Sequence, residues 1–164
     1  MLAHVRTFAI EGVDGVPVTV EVDVRSGLPA FTIVGLPDRA VREARERVRA
    51  AILNCGFEFP LRRLTVNLAP ASLEKGGPSF DLAIAVGLLA ASGQVPATAC
   101  QTAALWGELS LDGRLRDVPG TLIAALAAER SATEILIVPE HSADEALAVD
   151  GPAVVAVRSL RDIA

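Results

Sequence analysis

Valines alternate with polar residues from Val16 to Val24. Val18, Val20, Val22 and Val24 fall on one side, and Thr19, Glu21 and Asp23 on the other. A period of two predicts a half-buried strand with one wet face. Val5 to Ile10 predicts a strand before it, and Asp14-Gly15 predicts the hairpin turn between them. After Ser26-Gly27, Phe31 to Val34 predicts a third strand, and the three are expected to form an antiparallel meander. The period changes after Pro37-Asp38. Val41, Ala44, Val48, Ala51, Ile52 and Cys55 share one helical stripe, which predicts a helix to about Asn54. Asp38 suits its N-cap or first turn, and Gly56 its C-terminal cap. Cys55 then reads as a small buried hydrophobe.

Leu64 to Leu68 predicts a short strand, and Ala69 to Pro78 a loop. Ser79 to Ala91 is apolar on nearly every side, the pattern of a central, covered helix. Ala103 to Leu111 predicts a strand ending at the Asp112-Gly113 turn. Val118 to Arg130 predicts a helix with Pro119 in its first turn. Glu134 to Val138 and Val154 to Val157 predict strands, His141 to Ala148 a short helix between them, and Ser159 to Ala164 the start of another element. No repeat, low-complexity tract or linker interrupts the pattern. Residues 1–164 read as one α/β (α+β) domain.

Composition narrows the function classes. The chain carries 15 Lys+Arg against 20 Asp+Glu, a net charge of −5, so no basic coat covers it as a whole. The apolar run Leu82 to Ala91 is about half the ~20 residues a membrane span needs, so no membrane partner is expected. No signal peptide is visible, and Cys55 and Cys100 are too few for a disulfide scaffold, so a cytoplasmic protein with reduced thiols is expected. His4 and His141 lack neighbours at metal-ligand spacing, so no metal site and no resident cofactor are expected. There is no G-x-S-x-G elbow, P-loop or G-x-G-x-x-G.

Two stretches hold candidate chemistry. The loop Pro70 to Asp81 contains Lys75, Gly76, Gly77 and Ser79 just before the most apolar helix. A helix N-terminus offers N–H groups and a positive dipole end, which suits an anion or the oxyanion of a serine nucleophile. The plainer reading makes Ser79 the helix cap and Asp81 a complement to the dipole. Asp38 to Arg63 holds seven arginines and four acids, +3 in a chain whose remainder is −8. Arg42, Arg45 and Arg49 share a helix face. With Arg39, Arg62 and Arg63 they are candidates to meet DNA phosphates or an acidic neighbouring subunit. The alternative is a solvated face with Glu43 and Arg47 as an i,i+4 pair.

The loop Lys75, Gly77-Pro78-Ser79 resembles the nucleophile loop of Lon-type proteases. Gly107-Glu108-Leu109-Ser110-Leu111-Asp112-Gly113-Arg114-Leu115 and Ile135-Leu136-Ile137-Val138-Pro139 resemble later strands of the same fold. The segments Thr32 to Asp38, Val41-Arg42-Glu43, Arg62 to Pro70 and Leu73 to Ala85 are more specifically similar to the N-terminal domain of competence-type, magnesium-chelatase-like AAA+ ATPases. The resemblance spans essentially the whole chain. It implies a Lon-protease-like, ribosomal-protein-like domain fold, a mixed sheet packed against helices. It also implies an AAA+ module after residue 164 that holds ATP and Mg, and a hexameric motor acting on DNA in recombination or natural transformation.

Lon cleaves with a Ser–Lys dyad. The serine maps onto Ser79, but Leu122 stands at the expected lysine, and no lysine follows Lys75. Arginine cannot act as the base. The resemblance therefore implies a vestigial nucleophile position. The expected role is a noncatalytic accessory domain contacting DNA, its own AAA+ module or neighbouring subunits. The competing expectation is a Ser79-dependent hydrolase or a phosphate-binding transferase on the same fold.

Overall fold

A computed structural model describes residues 1–163. The fold is mixed α/β, a seven-stranded sheet with helices on both faces. Strand β1 (Leu2–Glu11) and β2 (Asp14–Arg25) form a long antiparallel hairpin. Its turn is Gly12-Val13, two residues before the expected Asp14-Gly15. Gly12 takes the left-handed φ of +63° that the tight turn needs. Gly15 lies inside β2, where a Cβ would sit 2.6 Å from the Ala127 Cβ. Both glycines are needed, one for the turn and one for close approach of a helix.

The meander expectation is corrected at β3 (Ala30–Val34). It does not pair with β2. It lies outside β4 (Arg63–Ala69) and runs parallel to it, while β4 takes the antiparallel place beside β2. Helix α1 (Arg39–Asn54) connects β3 to β4, so the segment is a β-α-β crossover, as a parallel pair requires. Pairing β2 with the seven-residue β4 also satisfies more backbone groups than the five-residue β3 can.

Helix α2 (Asp81–Ala91) follows a 3-10 turn at Pro78–Phe80, and all eleven of its residues are buried. It crosses β1 and β2 so closely that a Cβ on Gly87 would stand 2.6 Å from Val22 Cγ2. The expected strand 103–111 is broken. β5 (Ala103–Leu105) joins the main sheet, and β6 (Glu108–Leu109) forms a small hairpin with β7 (Leu115–Arg116). Trp106 N–H donates to Ile137 O at 2.9 Å, then Gly107 turns the chain away to bond the segment before α2.

Helix α3 (Thr121–Arg130) starts three residues later than expected, because Gly120 at φ +101° ends any helical continuation from Val118. β8 (Ile135–Pro139) and β9 (Ala153–Val157) finish the sheet, whose order is β3-β4-β2-β1-β5-β8-β9. Between them lie a 3-10 turn (Glu140–Ser142) and the short α4 (Ala143–Leu147), in place of one helix from His141 to Ala148. Leu160–Ile163 is a 3-10 turn; Ala164, the end of the last expected element, lies outside the described residues.

The valine alternation sets the layers. Val18, Val20, Val22 and Val24 pack with Leu64, Val66 and Leu68 against α1 and α2. Phe8, Trp106, Leu136 and Val138 pack on the other face against α3 and α4. That second layer leaves Thr19, Glu21 and Asp23 only partly buried. No helix among the described residues is long and apolar enough to cross a membrane.

Candidate functional site

The loop from Pro70 to Phe80 is stitched to the start of α1. Lys75 N–H donates to Leu36 O at 3.0 Å, and Asp38 N–H donates to Lys75 O at 2.9 Å. Asp38 is the N-cap of α1, as its position before the apolar stripe predicts. One of its carboxylate oxygens accepts from Val41 N–H at 2.8 Å. The other accepts from Gly77 N–H at 3.1 Å. One side chain thus caps a helix and holds the glycine loop.

Lys75 is fully buried. Its ammonium donates to Gly35 O at 2.8 Å and to Pro70 O. It therefore ties the end of β3 to the end of β4. Burial pushes its pKa below the ordinary lysine value. Gly77, at φ +84°, leads into Pro78 and Ser79. Ser79 is buried and its carbonyl accepts from Gly107 N–H at 3.3 Å. It is not the cap of α2: the helix begins after Phe80, and no side-chain cap bond forms at either turn. The loop's own geometry supplies the reason. The 3-10 turn places Ser79 two residues before α2. Asp81 N–H bonds Pro78 O, and Leu82 N–H bonds Gly107 O at 3.2 Å.

Among the described residues no side chain hydrogen-bonds the Ser79 hydroxyl. Leu122 is half-exposed on α3. The two elements nonetheless meet at Trp106-Gly107, because Trp106 Nε1–H donates to Thr121 Oγ1 at 3.1 Å, beside Leu122.

Asp81 is the buried acid of the site. Arg47 donates to it twice, from Nε at 2.7 Å and Nη2 at 3.0 Å, and Leu109 N–H donates at 3.2 Å. Burial pushes the Asp81 carboxyl up to about 6 despite this guanidinium. The expected Glu43–Arg47 pair does not form. Glu43 instead accepts from Arg39 Nε at 2.8 Å, and Arg47 turns inward because Asp81 is fully buried beneath it. A signal for this existed: Arg47 follows Ala44 by three and precedes Ala51 by four, so it lies along the buried stripe of α1.

The other arginines stay outside. Arg42, Arg45 and Arg49 are exposed along one face of α1, and Arg62 and Arg63 are exposed at the start of β4. Arg42 donates to Pro37 O at 2.8 Å and Arg45 to Phe31 O at 3.3 Å. Arg49 lies 5.4 Å above the Phe59 ring. A groove of about 660 Å³ opens below Phe59, lined by Met1, Leu53, Phe57, Leu61 and Gln94, without Ser79 or Lys75. The free thiols of Cys55 and Cys100 are buried. Among the described residues no three His, Cys, Asp or Glu side chains cluster as an all-protein metal cage would require.

By its fold the chain falls in the class of mixed α/β domains. It is 26% identical over 140 residues to the Lon protease of Rhizobium meliloti, covering 81% of this chain and 17% of that protein. More narrowly, the chain belongs to the family described as subunit ChlI of Mg-chelatase, which matches residues 20–142. It is 49% identical over 146 residues to the uncharacterized protein YifB of Salmonella typhimurium, covering 89% of this chain. It is 46% identical over 149 residues to the competence protein ComM of Haemophilus influenzae, covering 91%. The chain spans 29% of the length of each of these two relatives.

Proposed function

We propose that the chain is a noncatalytic accessory domain of a longer, magnesium-chelatase-like AAA+ ATPase, working in the cytoplasm by docking against neighbouring subunits and its own ATPase module. The observation that carries this reading is the Ser79 hydroxyl. No base bonds it among the described residues, and the Lys75 ammonium is engaged with two carbonyls. An unactivated serine is a poor nucleophile. The N–H groups of Gly77, Asp81 and Leu82 already serve Asp38, Pro78 and Gly107, which leaves a Ser79-dependent hydrolase or a phosphate-binding transferase fewer donors for an anion. ATP and Mg would be held by the ATPase module, outside this chain, in a hexameric motor. The name of the Haemophilus relative supports a role in natural transformation, and with it DNA recombination. A serine-directed fluorophosphonate probe tests the reading. The expected result is no labelling; labelling that disappears in Ser79→Ala overturns it.

Contact with DNA is the second reading, favoured by the exposed Arg42, Arg45 and Arg49, none of which pairs with a carboxylate among the described residues. If they meet phosphates, changing all three to glutamate lowers the affinity for branched and linear DNA and flattens its salt dependence by about three counterions. Affinity that is unchanged and insensitive to salt retires it.

A further inference from the structure

Both outer strands of the sheet lack a partner on one side. Among the described residues β3 pairs as a strand only with β4, and β9 only with β8. Each is five residues long. Followed across the sheet, the pairings make every strand but β2 run the same way, so β3 and β9 are parallel. The two edges stand about 30 Å apart at ordinary strand spacing. A second copy carried sideways, and rotated about that direction by the sheet's accumulated twist, brings its β3 beside the first copy's β9 as a parallel pair. A two-fold arrangement would set β3 against β3, with like charges facing.

Charge favours the sideways arrangement. Around β9, the chain from Ser131 to Val157 has five carboxylates and no Lys or Arg. Glu140 bonds Arg158, while Glu134, Asp144, Glu145 and Asp150 are exposed and form no ion pair among the described residues. Around β3, Arg45, Arg49, Arg62 and Arg63 are exposed and likewise without carboxylate partners. The faces also match. Thr65 and Asn67 of β4 stand on the side of the sheet away from α1 and α2, where Asn67 bonds Glu21, and Arg63 shares that side with them. No helix covers β3 and β4 there, whereas α4 lies on that same side at the opposite edge, packed with α3. An overhanging α4 would therefore bring Asp144 and Glu145 towards Arg63 of the next copy. Exposed apolar side chains flank both edges, Val34 and Leu36 at one, Leu147 and Val155 at the other. In the single copy Arg45 caps the Phe31 carbonyl, a cationic guard of the kind open edges carry.

We propose that copies of this domain associate head to tail, β9 of one pairing in parallel with β3 of the next across a seam of opposite charge. The inference rests on the subunit-docking part of the function proposed above and names its surface. Such a contact closes into a ring or grows as a filament.

Two charge-reversed chains test it: one with Arg45→Glu, Arg49→Glu and Arg63→Glu, the other with Asp144→Arg, Glu145→Arg and Asp150→Arg. Sedimentation velocity over a concentration series is the readout, with near-ultraviolet circular dichroism to verify folding. Each variant alone should self-associate about 100-fold more weakly than the parent chain. An equal mixture should restore association, since each variant then offers the edge the other lacks. Separately, a Thr32→Cys chain mixed with an Ala156→Cys chain should cross-link on oxidation, and neither should cross-link alone. The seam is refuted by a mixture that stays dissociated, by failure of that mixed cross-link, or by reversed chains that associate as well as the parent. DNA affinity lost in the first variant, with no association in the mixture, assigns the arginines to phosphate instead. Fluorophosphonate labelling of Ser79 is independent of all these outcomes, so failure of the seam and failure of the noncatalytic reading are told apart.

Discussion

Replacing Arg47 by methionine removes the bidentate partner of Asp81 and leaves that carboxyl with a single N–H donor, from Leu109. In the parent chain burial lifts Asp81 from an ordinary 3.8 to about 6. The folded state therefore keeps this proton at pH values where the unfolded chain has released it. The stability this gives is present below about pH 4 and declines by about 3 kcal/mol as pH rises through 6. In the Arg47→Met chain the neutral form is little changed, but the ionised form has lost its counter-charge and its pKa climbs further. The two chains should match near pH 5, apart from a constant packing term. Above pH 6 they should diverge by about 1.4 kcal/mol per pH unit, reaching about 2 kcal/mol at pH 7.5. That is below the ~3–5 kcal/mol of a broken buried pair that cannot neutralise itself, because protonation offers Asp81 an exit. Urea titrations followed by Trp106, the single and fully buried tryptophan, measure both chains at each pH. A stability difference that is the same at both pH values, or larger at the lower one, refutes the reasoning. With Asp81→Asn placed in both chains, the stability difference between them should no longer depend on pH.

Asp38→Ala removes a helix cap and the acceptor of Gly77 N–H together, so it should destabilise by about 2 kcal/mol. Amide exchange should accelerate at Val41 and Gly77 in parallel; acceleration at Val41 alone would mean the loop is held by something else. Lys75→Met strands the Gly35 and Pro70 carbonyls in a buried place and should lower stability by roughly 2–3 kcal/mol in thermal melts. A melt unchanged from the parent would show that the ammonium is not a tie. Gly87→Ala should destabilise by about 1–2 kcal/mol, because the strain of a Cβ 2.6 Å from Val22 exceeds the gain in helix propensity. Combining it with Val22→Ala should recover part of that loss, and strict additivity of the two would contradict the contact.

Local patterns in the chain foretold most elements, because periodicity records which side of a strand or helix is buried. The valine alternation of β2 and the stripe of α1 were legible for that reason, and so was the Asp38 cap. Partnership was not. Nothing within Phe31 to Val34 says whether it lies beside β2 or beyond β4; that depends on a competition settled thirty residues later, at Arg63–Ala69. The Asp14-Gly15 dipeptide misled because a glycine required for helix approach looks the same as one required for a turn. Within the loop, adjacency alone put Lys75, Gly77 and Ser79 together, but the direction of the Lys75 side chain follows from carbonyls forty and five residues away. The Arg47–Asp81 pair spans 34 residues, and only the place of Arg47 on an otherwise apolar stripe hinted at it.

The complete enclosure of α2 bears on how the chain can be cut. Its wrapping is drawn from distant parts: the first hairpin, α1, and the late turn at Leu160. Ribosomal synthesis therefore delivers the greasiest segment well before its final cover, and a fragment ending ahead of Leu160 would expose a surface prone to clumping. Soluble expression of nested C-terminal deletions should accordingly drop at that leucine rather than fade gradually.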